Sequence, residues 1–217
     1  MIERTIATGT HGRYLLEPPA SAGPAPMLVG FHGYGESADI QLERMRRIPG
    51  ADRWLLVSIQ GLHRFYQRRA NEVVASWMTR QDREHAIADN LAYVSAAIGA
   101  VDREYPGASP LVLAGFSQGV AMMFRAATAS SRPVDGVMAV GGDVPPEIDS
   151  VALARVRRAL VCHGARDEWY TEAIFGRDVQ RLREANVTVQ PLEFGGGHEW
   201  SDEVVQAAAL FLGERLA

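Results

Sequence analysis

Leu111-Val112-Leu113-Ala114-Gly115-Phe116-Ser117-Gln118-Gly119 joins a continuously apolar run to a G-x-S-x-G pentapeptide. Apolar residues without polar alternation suit a strand buried on both faces of a parallel sheet. Beyond the pentapeptide, Val120, Met123, Phe124 and Ala127 recur at i, i+3, i+4 and i+7, which predicts a helix over about 118–129 packed on that sheet. Between strand and helix, the G-x-S-x-G spacing is that of a nucleophile elbow. The chain turns so sharply at the serine that only very small neighbours at 115 and 119 let strand and helix approach. Ser117 is thereby held out at the turn as a candidate nucleophile.

The same signals repeat on either side. Apolar runs at 27–31, 54–59, 136–141, 159–163 and 187–194 read as strands, and helical periodicity lies between them at about 38–47, 151–157, 170–185 and 202–216. This alternation predicts an α/β architecture, a mostly parallel central sheet with helices on both faces. The clearest helix follows Asp82, a candidate N-cap: Ile87, Leu91, Val94, Ile98 and Val101 share one face until Pro106-Gly107. Residues 2–7 and 12–17, separated by Gly9 to His11, are expected to pair as an antiparallel hairpin on the sheet edge. The segment 60–82 offers no assignable element. It mixes aromatic residues with arginines after a strand end, so it is either a ligand-facing wall or a surface loop tucked onto the core.

A chain of 217 residues, 47% hydrophobic and 22% charged, is expected to form one domain with a full core. Its formal charge of −4 argues against a general polyanion surface and hence against a nucleic-acid partner. Arg44, Arg46 and Arg47, like the pair Arg68 and Arg69, read as solvated charge, with a phosphate or carboxylate contact as the other option. The first residues lack the apolar core of a signal peptide, and no stretch approaches the roughly 18 apolar residues that span a bilayer. A cytoplasmic location and no stable membrane insertion are therefore expected. Cys162 lies inside an apolar run and reads as a buried thiol. With no zinc-finger spacing, H-E-x-x-H, P-loop or dinucleotide fingerprint, neither a cofactor nor a metal is expected.

A serine hydroxyl needs a base to take its proton, and a histidine base needs a carboxylate to orient it. Of six histidines, His198 alone sits in a post-strand glycine loop, Gly195-Gly196-Gly197, downstream of a candidate acid. Asp167 is favoured as that acid because its strand immediately precedes the strand that leads to His198. Asp143, in Gly141-Gly142-Asp143, also follows an expected strand and competes with it, and Glu168 adjoins Asp167. The backbone amides of Gln118 and of Tyr34, in Phe31-His32-Gly33-Tyr34-Gly35, are the candidate donors to an oxyanion. Leu62, Phe65, Trp77, Met78 and Trp169 are candidates for the substrate pocket, with a core role weighed equally for Trp77 and Met78.

Together these residues resemble the phospholipase/carboxylesterase family of small α/β-hydrolases, which includes carboxylesterases and acyl-protein thioesterases. The resemblance runs from His32-Gly33-Tyr34-Gly35 through Ala75-Ser76-Trp77, the Gly115 to Gly119 elbow, the His163-Gly164 and Asp167 segment, and Gly197-His198. It implies an α/β-hydrolase fold without a large cap, a Ser117, Asp167, His198 triad, oxyanion donors at Tyr34 and Gln118, and a small-molecule ester or thioester substrate. The chain departs from the family at Val120, where members carry a second glycine, and at the bulky Glu168-Trp169-Tyr170 and Glu199-Trp200. Bulk expected near the mouth points to a small or short-chain ester. A lactone, thioester or peptide bond suits the same triad, and a non-catalytic binding module is the alternative of a different kind. A homodimer is compatible with this reading, although no motif sets the oligomeric state.

Overall fold

The computed structural model describes residues 1–67 and 71–213. Its strands are β1 (Arg13–Glu17), β2 (Met27–Phe31), β3 (Leu55–Gln60), β4 (His63–Gln67), β5 (Glu72–Ser76), β6 (Leu111–Phe116), β7 (Gly136–Val140), β8 (Arg158–Gly164) and β9 (Thr188–Phe194). The helices are α1 (Ala38–Arg46), α2 (Arg83–Glu104), α3 (Gln118–Ala129), α4 (Ser150–Leu153), α5 (Glu172–Glu184) and α6 (Asp202–Gly213). Seven strands form one sheet in the order β1-β3-β2-β6-β7-β8-β9, parallel throughout except for β1, which runs antiparallel to β3. The chain adopts the α/β-hydrolase type of sheet that the sequence anticipates.

Successive strand residues point to opposite faces, and both faces are buried. In β2, Met27, Val29 and Phe31 join the core under α2, α3 and α5, whereas Leu28 joins the core under α1 and α6. Leu111 and Leu113 of β6 divide from Val112 and Ala114 in the same way. This two-sided burial is why the strands read as unbroken apolar runs. Cys162 is fully buried, and desolvation pushes its thiol pKa up, as suits a structural thiol.

Several expectations are corrected. Residues 1–12 hold no helix or strand, so no N-terminal hairpin forms. The expected partner strand brings only Ile2 and Ile6 to bury, and they are 75% and 88% exposed. β1 is instead held by pairing along β3, by Arg13 to Asp39 (2.8 Å) and Gln60 (2.7 Å), and by Tyr93 Oη donating to Arg13 O (2.5 Å). Segment 60–82 contains the antiparallel ribbon β4–β5, in register from His63 with Ser76 to Gln67 with Glu72. Asp82 stands at the α2 N-terminus in a left-handed conformation (φ 49°, ψ 35°), and its side chain makes no capping bond. The most buried stripe of α2 is Ala86, Asn90, Val94, Ala97 and Val101. Ile87, Leu91 and Ile98 flank it, partly buried. Helix α4 stops at Leu153 because Val156 already bridges Val134 on the way into β8.

The arginine cluster is spent on carboxylates of the chain: Arg44 on Glu36, Arg46 on Glu17 and Glu43, Arg47 on Asp202. Arg68 and Arg69 lie outside the described residues. Among the described residues, no helix is long and apolar enough to cross a membrane. β2 has β3 on one side and β6 on the other, so successive connections leave it in opposite directions. The crevice beyond the strand ends at such a switch point is where open α/β sheets take ligands, and Ser117 follows β6 there.

Candidate active site

Ser117 links β6 to α3 with φ 51° and ψ −122°, a conformation that costs a non-glycine residue about 1–3 kcal/mol and is tolerated only when its surroundings enforce it. Those surroundings are backbone. Ser117 N donates to Val140 O (2.9 Å) and Val120 N donates to Ser117 O (2.9 Å). A Cβ on Gly119 would stand 2.2 Å from Phe31 O and 2.5 Å from His32 O, and one on Gly115 would stand 2.7 Å from Val120 Cα. Gly119 thus lets the first turn of α3 rest directly on the end of β2, and Gly115 lets the same turn fold closely against β6.

The strands β8 and β9 lie side by side, with Gly164 opposite Phe194, and their following loops are tied by Ala165 N to Phe194 O (2.8 Å) and Arg166 N to Gly196 O (2.9 Å). This brings Asp167 and His198 together. Asp167 Oδ1 accepts the amides of Trp169 (2.8 Å) and Tyr170 (3.0 Å), which turns Oδ2 toward His198 Nδ1 at 2.8 Å. On the other edge of the imidazole, Nε2 is 2.8 Å from Ser117 Oγ. An imidazole with its proton on Nδ1 satisfies both contacts: it donates to the carboxylate and accepts from the serine hydroxyl. Asp143 makes no bond to His198. The ring is further packed on Phe116 (centroids 5.1 Å apart), which carries the Arg44 guanidinium at 4.1 Å from its own centroid. A proton can move from Oγ to Nε2 along this line, and the resulting imidazolium would face a carboxylate.

In the loop after β2, Gly33 N is taken by Glu36 Oε2 (2.8 Å) and Gly35 N by Ala75 O (3.0 Å). The amide of Tyr34 between them has no partner among the described residues, nor has the amide of Gln118 at the start of α3. The side chain of Gln118 has a separate job. Its Oε1 accepts Trp77 N (2.9 Å) and its Nε2 donates to Met78 O (2.9 Å), pinning the segment after β5 to the elbow. His32 lies buried beneath this loop; its Nε2 accepts Gly61 N (3.0 Å), so Nδ1 carries the proton toward Gly33 O (2.7 Å). Burial holds its pKa below the usual imidazole range.

A cleft of about 300 Å³ contains Ser117 and His198, and Gly142, Asp143, Trp169, Tyr170 and Ile174 also line it. Of the five pocket candidates, Trp169 lines this cleft, 78% exposed. Trp77 does not: it is fully buried, donates Nε1 to His32 O (2.8 Å) and stacks on the His32 ring. Met78 is buried beside Arg125. Leu62 gives its amide to Asn90 Oδ1 (3.2 Å), and Phe65 packs on Tyr34 (centroids 5.6 Å apart), outside the cleft wall. Trp200 and Tyr170, expected as bulk at the mouth, are buried, although Tyr170 still presents an edge to the cleft. Asn90 and Glu36 escaped the sequence reading, since a polar residue inside a helical stripe and a carboxylate after a glycine turn look like surface. Among the described residues, no group of three or more His, Cys, Asp or Glu side chains is placed to hold a metal.

Solved structures share this fold at low identity. The acyl-protein thioesterase 2 of Zea mays is 16% identical with a TM-score of 0.75, the match covering 95% of this chain and 100% of that one. A carboxylesterase from Mesorhizobium loti is 20% identical (TM-score 0.70, 88% and 89% covered). The Bacillus cereus carboxylesterase is 15% identical (TM-score 0.72, 92% of each chain). The sequence itself carries the family's pattern from residue 19 to residue 215, and the chain belongs to the phospholipase/carboxylesterase family.

Proposed function

We propose that the protein is a serine carboxylesterase acting on small or short-chain esters through an acyl-enzyme at Ser117. The observation that carries this reading is the unbroken line of hydrogen bonds from Ser117 Oγ through His198 to Asp167, each 2.8 Å. In the first half-reaction His198 Nε2 takes the Ser117 proton while Oγ attacks the ester carbonyl. The amides of Tyr34 and Gln118, with the positive end of the α3 dipole behind them, receive the oxyanion. His198 then returns the proton to the departing alkoxide. In the second half, His198 deprotonates a water that attacks the acyl group, and the carboxylic acid leaves. Asp167 holds the imidazole in the required tautomer throughout. A cleft near the small end of ligand-pocket volumes, about 300 Å³, supports the short acyl chain.

The test is a p-nitrophenyl ester series from acetate to palmitate with wild type and Ser117→Ala. A loss in the variant of about three orders of magnitude or more is expected, with the best substrate at the short end. Undiminished turnover by Ser117→Ala would refute the nucleophile, and an optimum at dodecanoate or beyond would refute the short-chain reading.

A further inference from the structure

Asp143 and Trp169 stand out in the cleft wall. Asp143 is exposed and forms no hydrogen bond or ion pair with any described residue. It is the one carboxylate among the residues lining the cleft. The arginines on the neighbouring helix are engaged elsewhere: Arg177 and Arg181 both turn to the buried Asp178, and Arg181 also donates to the carbonyls of Val144, Pro145 and Ile148. Among the described residues, therefore, no cation forms an ion pair with Asp143. Trp169 presents its indole to solvent, yet its amide is bound to Asp167 Oδ1, so its backbone is anchored to the same aspartate that meets His198.

An unpaired carboxylate and an exposed indole in the wall of one cleft are groups that can together bind an organic cation. The carboxylate supplies charge, and the ring face attracts an ammonium within about 6 Å of its centroid. The same carboxylate repels an anionic substrate from a cleft in which the reaction itself builds negative charge. We infer that the preferred substrates are esters carrying an ammonium group close to the scissile carbonyl, read by Asp143 and Trp169. This inference rests on the esterase reading above and narrows it to a substrate class.

The test compares charged and uncharged members of two matched pairs. One pair is butyrylthiocholine and its isostere with tert-butyl in place of trimethylammonium, which puts the charge on the leaving group. The other is the p-nitrophenyl ester of a trimethylammonium-substituted butyrate and its tert-butyl isostere, which puts the charge on the acyl group. Wild type is expected to favour the charged member of at least one pair by about five- to tenfold in kcat/KM, the scale of one exposed charge contact with a cation–π contact. Asp143→Asn and Trp169→Ala should each bring that ratio toward one; using the ratio within each variant cancels any general loss of activity. A wild-type ratio near one in both pairs, or a preference undiminished in Asp143→Asn, overturns the inference. Ser117-dependent turnover of the neutral esters would leave the esterase reading standing in that case. Should no member be hydrolysed in a Ser117-dependent way, the esterase reading fails, and the cation site is decided by titrating choline and its tert-butyl analogue while following tryptophan fluorescence. Quenching by choline alone, lost in Trp169→Phe and weakened in Asp143→Asn, supports the site. Equal or absent responses overturn it.

Discussion

Replacing Gly119 by alanine should damage both stability and turnover, through one displacement. The new Cβ would lie 2.2 Å from Phe31 O, 2.5 Å from His32 O and 2.7 Å from Phe31 C, all backbone atoms of β2 and the loop it enters. No side chain can swing aside, so the first turn of α3 must withdraw by about 1 Å to restore ordinary contact. Overpacking of this kind costs about 1–3 kcal/mol, which for a chain of this length lowers Tm by about 2–12 °C. The same turn carries Ser117 and the Gln118 amide, and a 1 Å misplacement of reacting groups is worth about a hundredfold in rate. Thermal unfolding and kcat/KM on p-nitrophenyl butyrate read the two effects. Gly176→Ala is the control: it lies in the exposed middle of α5 with nothing within 4 Å of a new Cβ. There, alanine should stabilise by about 0.5–1 kcal/mol through helix propensity. A Gly119→Ala protein with wild-type Tm and wild-type kcat/KM would refute the steric account of the elbow.

Asp167→Asn should keep the Trp169 and Tyr170 amides bound through its Oδ1 but turn an NH2 toward His198 Nδ1, favouring the tautomer with a proton facing Ser117 Oγ; kcat should fall by about 10⁴ at nearly unchanged Tm. Glu36→Gln weakens a bidentate pair with Arg44 whose side chains are only 19% and 15% exposed, and should cost about 1–3 kcal/mol in urea unfolding. In an Arg44→Met background most of that loss should vanish; an equal loss there would show that Glu36 acts through something other than Arg44. Since burial depresses the His32 pKa in the folded state, the unfolded chain takes up the proton first as pH falls. The stabilisation from neutral His32 is therefore complete above about pH 6.5 and drains away below it, by at most about 1.4 kcal/mol per pH unit. Urea unfolding at about pH 7.5 and about pH 5.5 should show a larger drop for wild type than for His32→Asn, and equal drops would contradict the assignment.

Where a local rule governs an element, its position was legible. The strand β2 occupies the same residues, 27–31, that its apolar run marks, because a strand buried on two faces favours apolar residues at successive positions. The ribbon β4–β5 escaped for the opposite reason. All of β4 is exposed, so its residues carry no burial pattern, and it is held instead by pairing with β5. Ala75 of β5 in turn exchanges backbone bonds with Gly35 and Glu36. The α2 stripe was read from aliphatic residues, yet the helix turns Asn90 inward, where its side chain serves Ala86 O, Trp77 O and Leu62 N. A side chain that satisfies backbone of a distant loop leaves no periodic trace.

The elbow and the glycines that permit it could be read from order in the chain alone, since steric contact within a strand, a turn and a helix is a matter of near neighbours. Between Asp167 and Asp143, chain order favours Asp167, whose strand immediately precedes the one leading to His198, but it does not place either carboxylate against the ring. Both follow strands of the sheet, and what separates them is that β8 and β9 lie in register, so that Asp167 meets a histidine 31 residues further on. Tertiary packing likewise buried Trp77 and left Trp169 in the open, although both are tryptophans in connections near strand ends. The cause is the same in each case: contact between residues far apart in the chain is set by strand order and register, which no local spacing encodes.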